Sequence, residues 1–252
     1  MIKNRISAFV LFIAALALYG VPAMAAPVLP APLEAALVEA EVRNAKNADA
    51  VFYFRRKIVR FGKIFLEKSF NPDASQAQRW GILYPDYEKD PKGYAKQARR
   101  QQRKNLKHSK DDYDANKDLY LPPLRQRLSK GVTLVSENDD ELVYGFEIAD
   151  SYYVSGEGKG ADIAKYMSGK VAVGKKDGMI HWLHYVAERP FHPIPIAKVK
   201  QFDIFQKYAP AWYGGPLVKV EEHNKVAGSA IIRKIRFDDV VTNHDFRPIT
   251  VK

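Results

Sequence analysis

The chain has 252 residues, 40 lysines and arginines against 29 aspartates and glutamates, and no cysteine. Without cysteine it can form no disulfide, no thiolate metal centre, no cysteine nucleophile and no lipid-modified N-terminal cysteine. The formal charge of +11 directs attention to anionic partners, although plain solubility also accounts for such a charge.

Lys3 and Arg5 precede an apolar run, Ile6 to Tyr19, that Gly20 and Pro22 end. Ala23-Met24-Ala25 supplies the small residues a signal peptidase accepts, and the run is shorter than the roughly 20 apolar residues that span hydrocarbon. Residues 1–25 are therefore expected to be a secretory signal peptide, with residues 26–252 forming a single domain in the periplasm. Removing Lys3 and Arg5 leaves 38 basic against 29 acidic residues. In a compartment without nucleic acid, that excess favours anionic lipid head groups, acidic polymers or acidic proteins, and no nucleic-acid partner is expected.

After the extended leader Ala26 to Pro32, the segment LEAALVEAEVRNAKNA repeats Leu33, Ala36, Leu37 and Ala40 at helical spacing behind a proline, which predicts a short amphipathic helix. VFYFRRKIV and KIFLEKSF flank Arg60-Phe61-Gly62 as a β-hairpin. Phe52, Phe54 and Ile58 share one face of its first strand, interrupted by Arg56, and Ile64, Leu66 and Phe70 share one face of its second. FNPDASQAQRWGILYP then reads as a turn that returns through Trp80, Ile82 and Leu83.

The middle of the chain, about residues 86–130, is rich in charge and poor in apolar residues. Pro91 to Lys110 holds eight basic residues and no acidic one. Lys96, Arg99, Arg100, Arg103 and Lys107 recur at steps of three and four, so a helix gathers them on one face. A solvated or partly disordered insertion is one reading, and contact with an anionic membrane surface or an acidic envelope partner is the other. Asp112, Asp114, Asn116 and Asp118 mimic the early ligands of a calcium loop, but Lys117 stands where the loop needs glycine and Pro123 where it needs glutamate. The stretch reads as helix capping and charge compensation.

From Val132 onward the sequence is β-rich. VTLVSENDDELVYGFEI turns at Asn138-Asp139-Asp140, GKVAVGKKDGMIHWLHYV turns at Asp177-Gly178, AKVKQFDIFQKY follows, and Pro216 to Val241 is expected to turn near Asn224-Lys225. Strands joined by tight turns predict an antiparallel meander. If Met179 to Val186 is one regular strand, Ile180, Trp182, His184 and Val186 share one face and Met179, His181, Leu183 and Tyr185 the other. His181 and His184 then point apart and cannot share an ion, while His192 lies beyond Pro190, so no metal site or cofactor is expected. Ser155 to Gly160 is glycine-rich but reads as a mobile loop. No G-x-S-x-G elbow, P-loop or G-x-G-x-x-G occurs, and catalysis is not expected.

The strands are rich in aromatic residues. A curved sheet, apolar on its concave side and coverable by the N-terminal helix, suits an acyl chain; an ordinary filled core uses the same residues. Tyr144, Phe146, Trp182, Phe202 and Ile204 are the candidate wall.

Phe70-Asn71-Pro72-Asp73, Arg79-Trp80 with Ile82-Leu83, the charged insertion, the strand Leu142 to Ile148, Gly169-Lys170-Val171, and the Ile231 to Val241 strand leading to Asp245-Phe246-Arg247 follow one layout. With the export signal and first helix, it resembles the periplasmic lipoprotein carriers of the LolA/LolB type, and within them an outer-membrane lipoprotein-sorting-like group. The resemblance implies a mainly β (α+β) fold, a curved antiparallel sheet or incomplete β-barrel with an N-terminal helix and a charged helical insertion. It also implies a non-catalytic carrier or chaperone for a lipid or a lipidated protein. An envelope adaptor with a packed interior and a basic docking face is the alternative; the ligand and oligomeric state stay open.

Overall fold

The computed structural model describes residues 29–76, 78–108, 115–125, 127–128, 130–148, 163–230 and 233–249. The expected signal peptide, residues 111–114 of the calcium-like stretch and the Ser155–Gly160 loop lie outside them. Helix α1 (Ala31–Lys46) begins with Pro32 in its first turn, where a missing N–H costs no hydrogen bond, and it buries Leu33, Ala36, Leu37 and Ala40 along one face. This is the face predicted from the spacing.

Strands β1 (Phe52–Arg60), β2 (Lys63–Phe70) and β3 (Trp80–Tyr84) form an N-terminal meander. Phe61 and Gly62 turn its first hairpin, both at positive φ. Helix α2 (Pro91–His108) follows. A second series comprises β4 (Lys130–Glu137), β5 (Glu141–Glu147), β6 (Ser168–Gly174), β7 (Ile180–Val186), β8 (Phe191–Ile194), β9 (Ala197–Pro210), β10 (Leu217–Ala230) and β11 (Arg233–Pro248). The two series join where β1 pairs antiparallel with β11, giving one 11-stranded sheet ordered β3-β2-β1-β11-β10-β9-β7-β6-β5-β4, with β8 paired to β9 beside this path. The fold is mainly β, with a large antiparallel sheet, an N-terminal helix and a helix in the basic insertion. Its edges, β3 and β4, stay apart, so the sheet is not closed into a barrel. Among the described residues, no helix is long and apolar enough to cross a membrane.

Several local expectations are corrected. Asn224 and Lys225 do not turn; they lie within β10, paired to both β9 and β11, and the chain reverses after Ala230. Asn-Lys lacks the glycine that a tight hairpin turn favours, and the Asn224 amide bonds Glu222 Oε1 at 2.6 Å. His192 belongs to β8, a short strand that accommodates Pro193 at the sheet's margin. Strand β7 is not regular either. Ala172 faces Trp182 but Val173 faces Ile180, so a bulge inserts His181 and inverts the alternation. Ile180 therefore shares the core face with Leu183 and Tyr185, not with Trp182.

Two clusters hold the sheet. The larger packs α1 and Leu121, Leu124 and Leu128 onto Tyr144, Phe146, Val171, Leu183, Phe202 and Tyr208. Phe146 lies against Gly169, where any Cβ would meet its ring at 2.2 Å. The smaller packs Phe54 against Phe70, tilted, and against Trp80, edge to face, with ring centroids 5.3 and 5.4 Å apart, and adds Phe52, Leu119 and Val218. Phe54 is wholly buried among aromatic neighbours that cannot collapse to fill its space. Phe54→Ala is expected to cost about 3–5 kcal/mol in urea unfolding; a loss under about 1 kcal/mol would mean that this cluster is not part of the cooperative core.

Candidate functional site

Strand register defines which side chains share a face. Lys68, Leu66 and Phe70 of β2 lie with Arg56, Ile58 and Phe54 of β1, since Arg56 faces Lys68 and Ile58 faces Leu66. Ile58 in turn faces Val241, Val241 faces Glu222, Glu222 faces Gln206, and Gln206 faces Leu183 of the large core. These residues form one continuous inner face.

Different chemistry covers its two sides. Helix α1 closes the β6, β7 and β10 side with aliphatic residues. Helix α2 approaches the β1–β3 side with amides: among its described side chains Gln97, Gln101 and Asn105, one per turn, are the buried ones. Gln101 Nε2 donates to Asn105 Oδ1 at 2.8 Å, and Lys68 Nζ donates to Gln101 Oε1 at 3.1 Å. Only 7% of Lys68 is exposed. Its ammonium lies 3.6 Å from the centre of the Trp80 ring, a cation–π contact. Burial, reinforced by the charges of Arg56 and Lys104, pushes the Lys68 amine well below the ordinary lysine value.

Between α2 and the strands lies a groove of about 700 Å³. Arg56, Arg60 and Lys68 from the sheet and Arg100, Arg103 and Lys104 from the helix line it, over an apolar floor of Ile58, Leu66 and Ile82. No carboxylate stands among the described residues lining it. Arg60 pairs with Asp239 at 2.6 Å and lies over the Phe65 ring, while Arg56 Nε donates to Asn243 Oδ1 at 2.8 Å. Beyond Asp239 the inner face continues through Phe237 and Ile235, which stay 48% and 39% exposed.

The residues singled out from sequence divide accordingly. Tyr144, Phe146 and Phe202 lie buried in the packed core under α1, and Ile204 packs beside them. Trp182 lies on the opposite face, its Nε1 donating to Glu141 Oε2 at 3.0 Å and its ring 5.5 Å from Phe205. Of the basic residues, Arg100 and Arg103 line the groove, Lys96 and Arg99 face solvent, and Lys107 lies in the last turn of α2. Reading the sequence missed Lys68, Arg60, Gln101, Phe237 and Ile235. Lys68 left a signal, since it occupies the apolar parity between Leu66 and Phe70.

Because of the bulge, His181 and His184 share the outer face, not opposite ones. His181 Nδ1 lies 2.9 Å from Glu141 Oε1 and Nε2 lies 3.0 Å from Asp177 Oδ2, while His184 Nε2 lies 2.9 Å from Asp203 Oδ1. Among the described residues no group of three or more His, Asp or Glu side chains is arranged to hold a metal ion.

No protein-family model matches the chain, and neither curated proteins nor solved structures gave a match.

Burial opposes protonation of His181, but hydrogen bonds to Asp177 and Glu141 outweigh it and hold the ring above its ordinary value of 6.5. A raised pKa makes this clamp fully stabilising below about pH 6.5, with the contribution lost as pH rises through the folded-state value. The melting temperature is therefore expected to fall from pH 6 to pH 8, and His181→Gln to flatten that slope. An unchanged slope in the variant removes His181 as its source.

Proposed function

We propose that the protein is a non-catalytic periplasmic carrier or chaperone that shelters the acyl chain of a lipid or lipidated protein on its inner face. One observation carries this reading. Phe237 and Ile235 leave apolar surface open on the inner face, next to the groove that gathers six cations. An amphiphile with an anionic head satisfies both surfaces at once, the chain by removing apolar area from water and the head by charge pairing. The resemblance of the motif layout to the LolA/LolB-type carriers and the signal-like N-terminus are in keeping with the same role and compartment.

The acyl wall differs from the one expected from sequence. Tyr144, Phe146 and Phe202 already have protein neighbours under α1, so the chain would run along Ile58, Val241, Phe237 and Ile235 instead. The filled core supports the second reading, an envelope adaptor that docks an acidic protein through its basic groove.

Native mass spectrometry of protein purified from membrane-containing cells distinguishes these roles. Lipid is expected to accompany the protein and to be lost from a Phe237→Asp/Ile235→Asp variant that melts normally. A charge set against an acyl chain costs upward of about 2 kcal/mol, roughly thirtyfold in affinity. Protein free of lipid that retains a salt-sensitive protein partner supports the adaptor instead. Quenching of Trp80, which borders the groove, is the expected optical report of occupancy; Trp182 faces away from it.

A further inference from the structure

We infer that the groove between α2 and strands β1–β3 is a built binding site for a phosphate group of high negative charge, such as a phosphomonoester or diphosphate. The inference deepens the carrier reading by naming its head group and rests on that reading only for the lipid as source. The groove chemistry stands on its own.

Lys68 is the main evidence. Ammonium groups are rarely this buried unless paired with an opposite charge, because desolvation is costly. Among the described residues its compensation is one amide oxygen and one aromatic ring, and neither neutralises an ammonium. Arg56 and Lys104 worsen the balance by like-charge repulsion. Gathering Arg100 and Arg103 at the same cleft adds still more positive potential. A fold tolerates this arrangement readily when an anion completes it.

Several features favour phosphate among anions. Arginine forks match the tetrahedral oxygens of phosphate in pairs, while Lys68 and Lys104 act as compact point charges. A volume of about 700 Å³ admits a phosphorylated head group with attached carbon, and Ile58, Leu66 and Ile82 provide apolar contact for that carbon. The helix wall is fixed in part by the buried Gln101 and Asn105 amides, so the cations of α2 are presented from a defined register. Lys96 and Arg99 lie on the same helix but outside the cleft, whereas Arg100, Arg103 and Lys104, equally open to solvent, line it.

Lys68 is surrounded by Arg56 from β1, by Trp80 from β3, and by Gln101 and Lys104 from α2, with no carboxylate lining the cleft among the described residues. An arriving dianion stabilises the ammonium form and so raises the proton affinity of the Lys68 amine.

Calorimetric titration of the purified protein with inorganic pyrophosphate tests the site. Binding is expected. Arg100→Gln/Lys104→Gln should weaken it about tenfold or more, as expected for lost charge-assisted hydrogen bonds. Lys96→Gln/Arg99→Gln removes the same charge and should stay within about twofold. Lys68→Met should lose affinity, with circular dichroism melting verifying that it folds. Equal losses from the two charge pairs, or binding of polyglutamate with none of pyrophosphate, overturn the proposal.

A second arm uses vesicles containing phosphatidic acid, a phosphomonoester, against vesicles containing phosphatidylglycerol, a diester. Preference for phosphatidic acid that Lys68→Met abolishes supports a lipid source. Pyrophosphate binding without vesicle binding supports the site with a free phosphate as ligand and counts against the carrier reading. Copurified lipid without any phosphate binding leaves the carrier reading in place and overturns the site.

Discussion

The inner face exists because β1 pairs with β11. That ladder joins an N-terminal meander to a C-terminal one across most of the chain's length, with Ile58 opposite Val241 and Arg60 opposite Asp239. Such a contact carries a large loop-closure cost and is repaid only when the face it completes is buried. Phe52, Phe54 and Phe246 provide that burial at one end of the ladder. In its middle the pairing aligns Arg56 with Asn243, which in turn donates to Lys219 O at 2.9 Å and ties β10 to the same frame. Shifting this register by one residue would turn Arg56, Ile58 and Arg60 outward and dissolve the groove.

The two helices use unlike physics on that shared surface. Helix α1 removes leucine and alanine from water and is further held where Leu217 N donates to Asn44 Oδ1 at 3.0 Å. Arg125 reaches Glu34 and Glu41 from the segment that follows α2, but these pairs are solvent-exposed and contribute little. Helix α2 has almost no apolar residue to bury and meets the sheet through amides and one lysine. Its contacts specify position more than they add stability. The basic groove lies on the side where packing is weakest, since a dry core would exclude its polar groups.

Polar order persists between these sides. Glu222 accepts from Gln206, Asn224 and Lys219 in the middle of the inner face. Burial works against its charge, yet Lys219 and the amides of Asn224 and Gln206 hold its carboxyl below the ordinary value. Tyr208 donates to Gln206 Oε1 at 3.0 Å and extends the network into the apolar core. The strip thus divides a filled sector from an open one without leaving a charge unmatched.

Sequence by itself determined the face composition of regular strands, the buried side of α1 and the exclusion of cysteine chemistry, while leaving open whether the basic run is ordered. Those properties follow from local periodicity and residue type, so Phe52, Phe54, Leu33 and Leu37 were legible before any contact was known. Bulges were not. One residue inserted at His181 reversed the parity that had put Trp182 with Ile180, and no residue type in that run demands a bulge. Long-range partners were equally invisible. Gln101 closes over Lys68 from 33 positions away, and Asn243 meets Arg56 across 187. Alternation can mark Lys68 as a lysine on an apolar face. Only the tertiary structure decided that its charge is buried beside other cations, because burial is a property of what covers a strand and not of the strand itself.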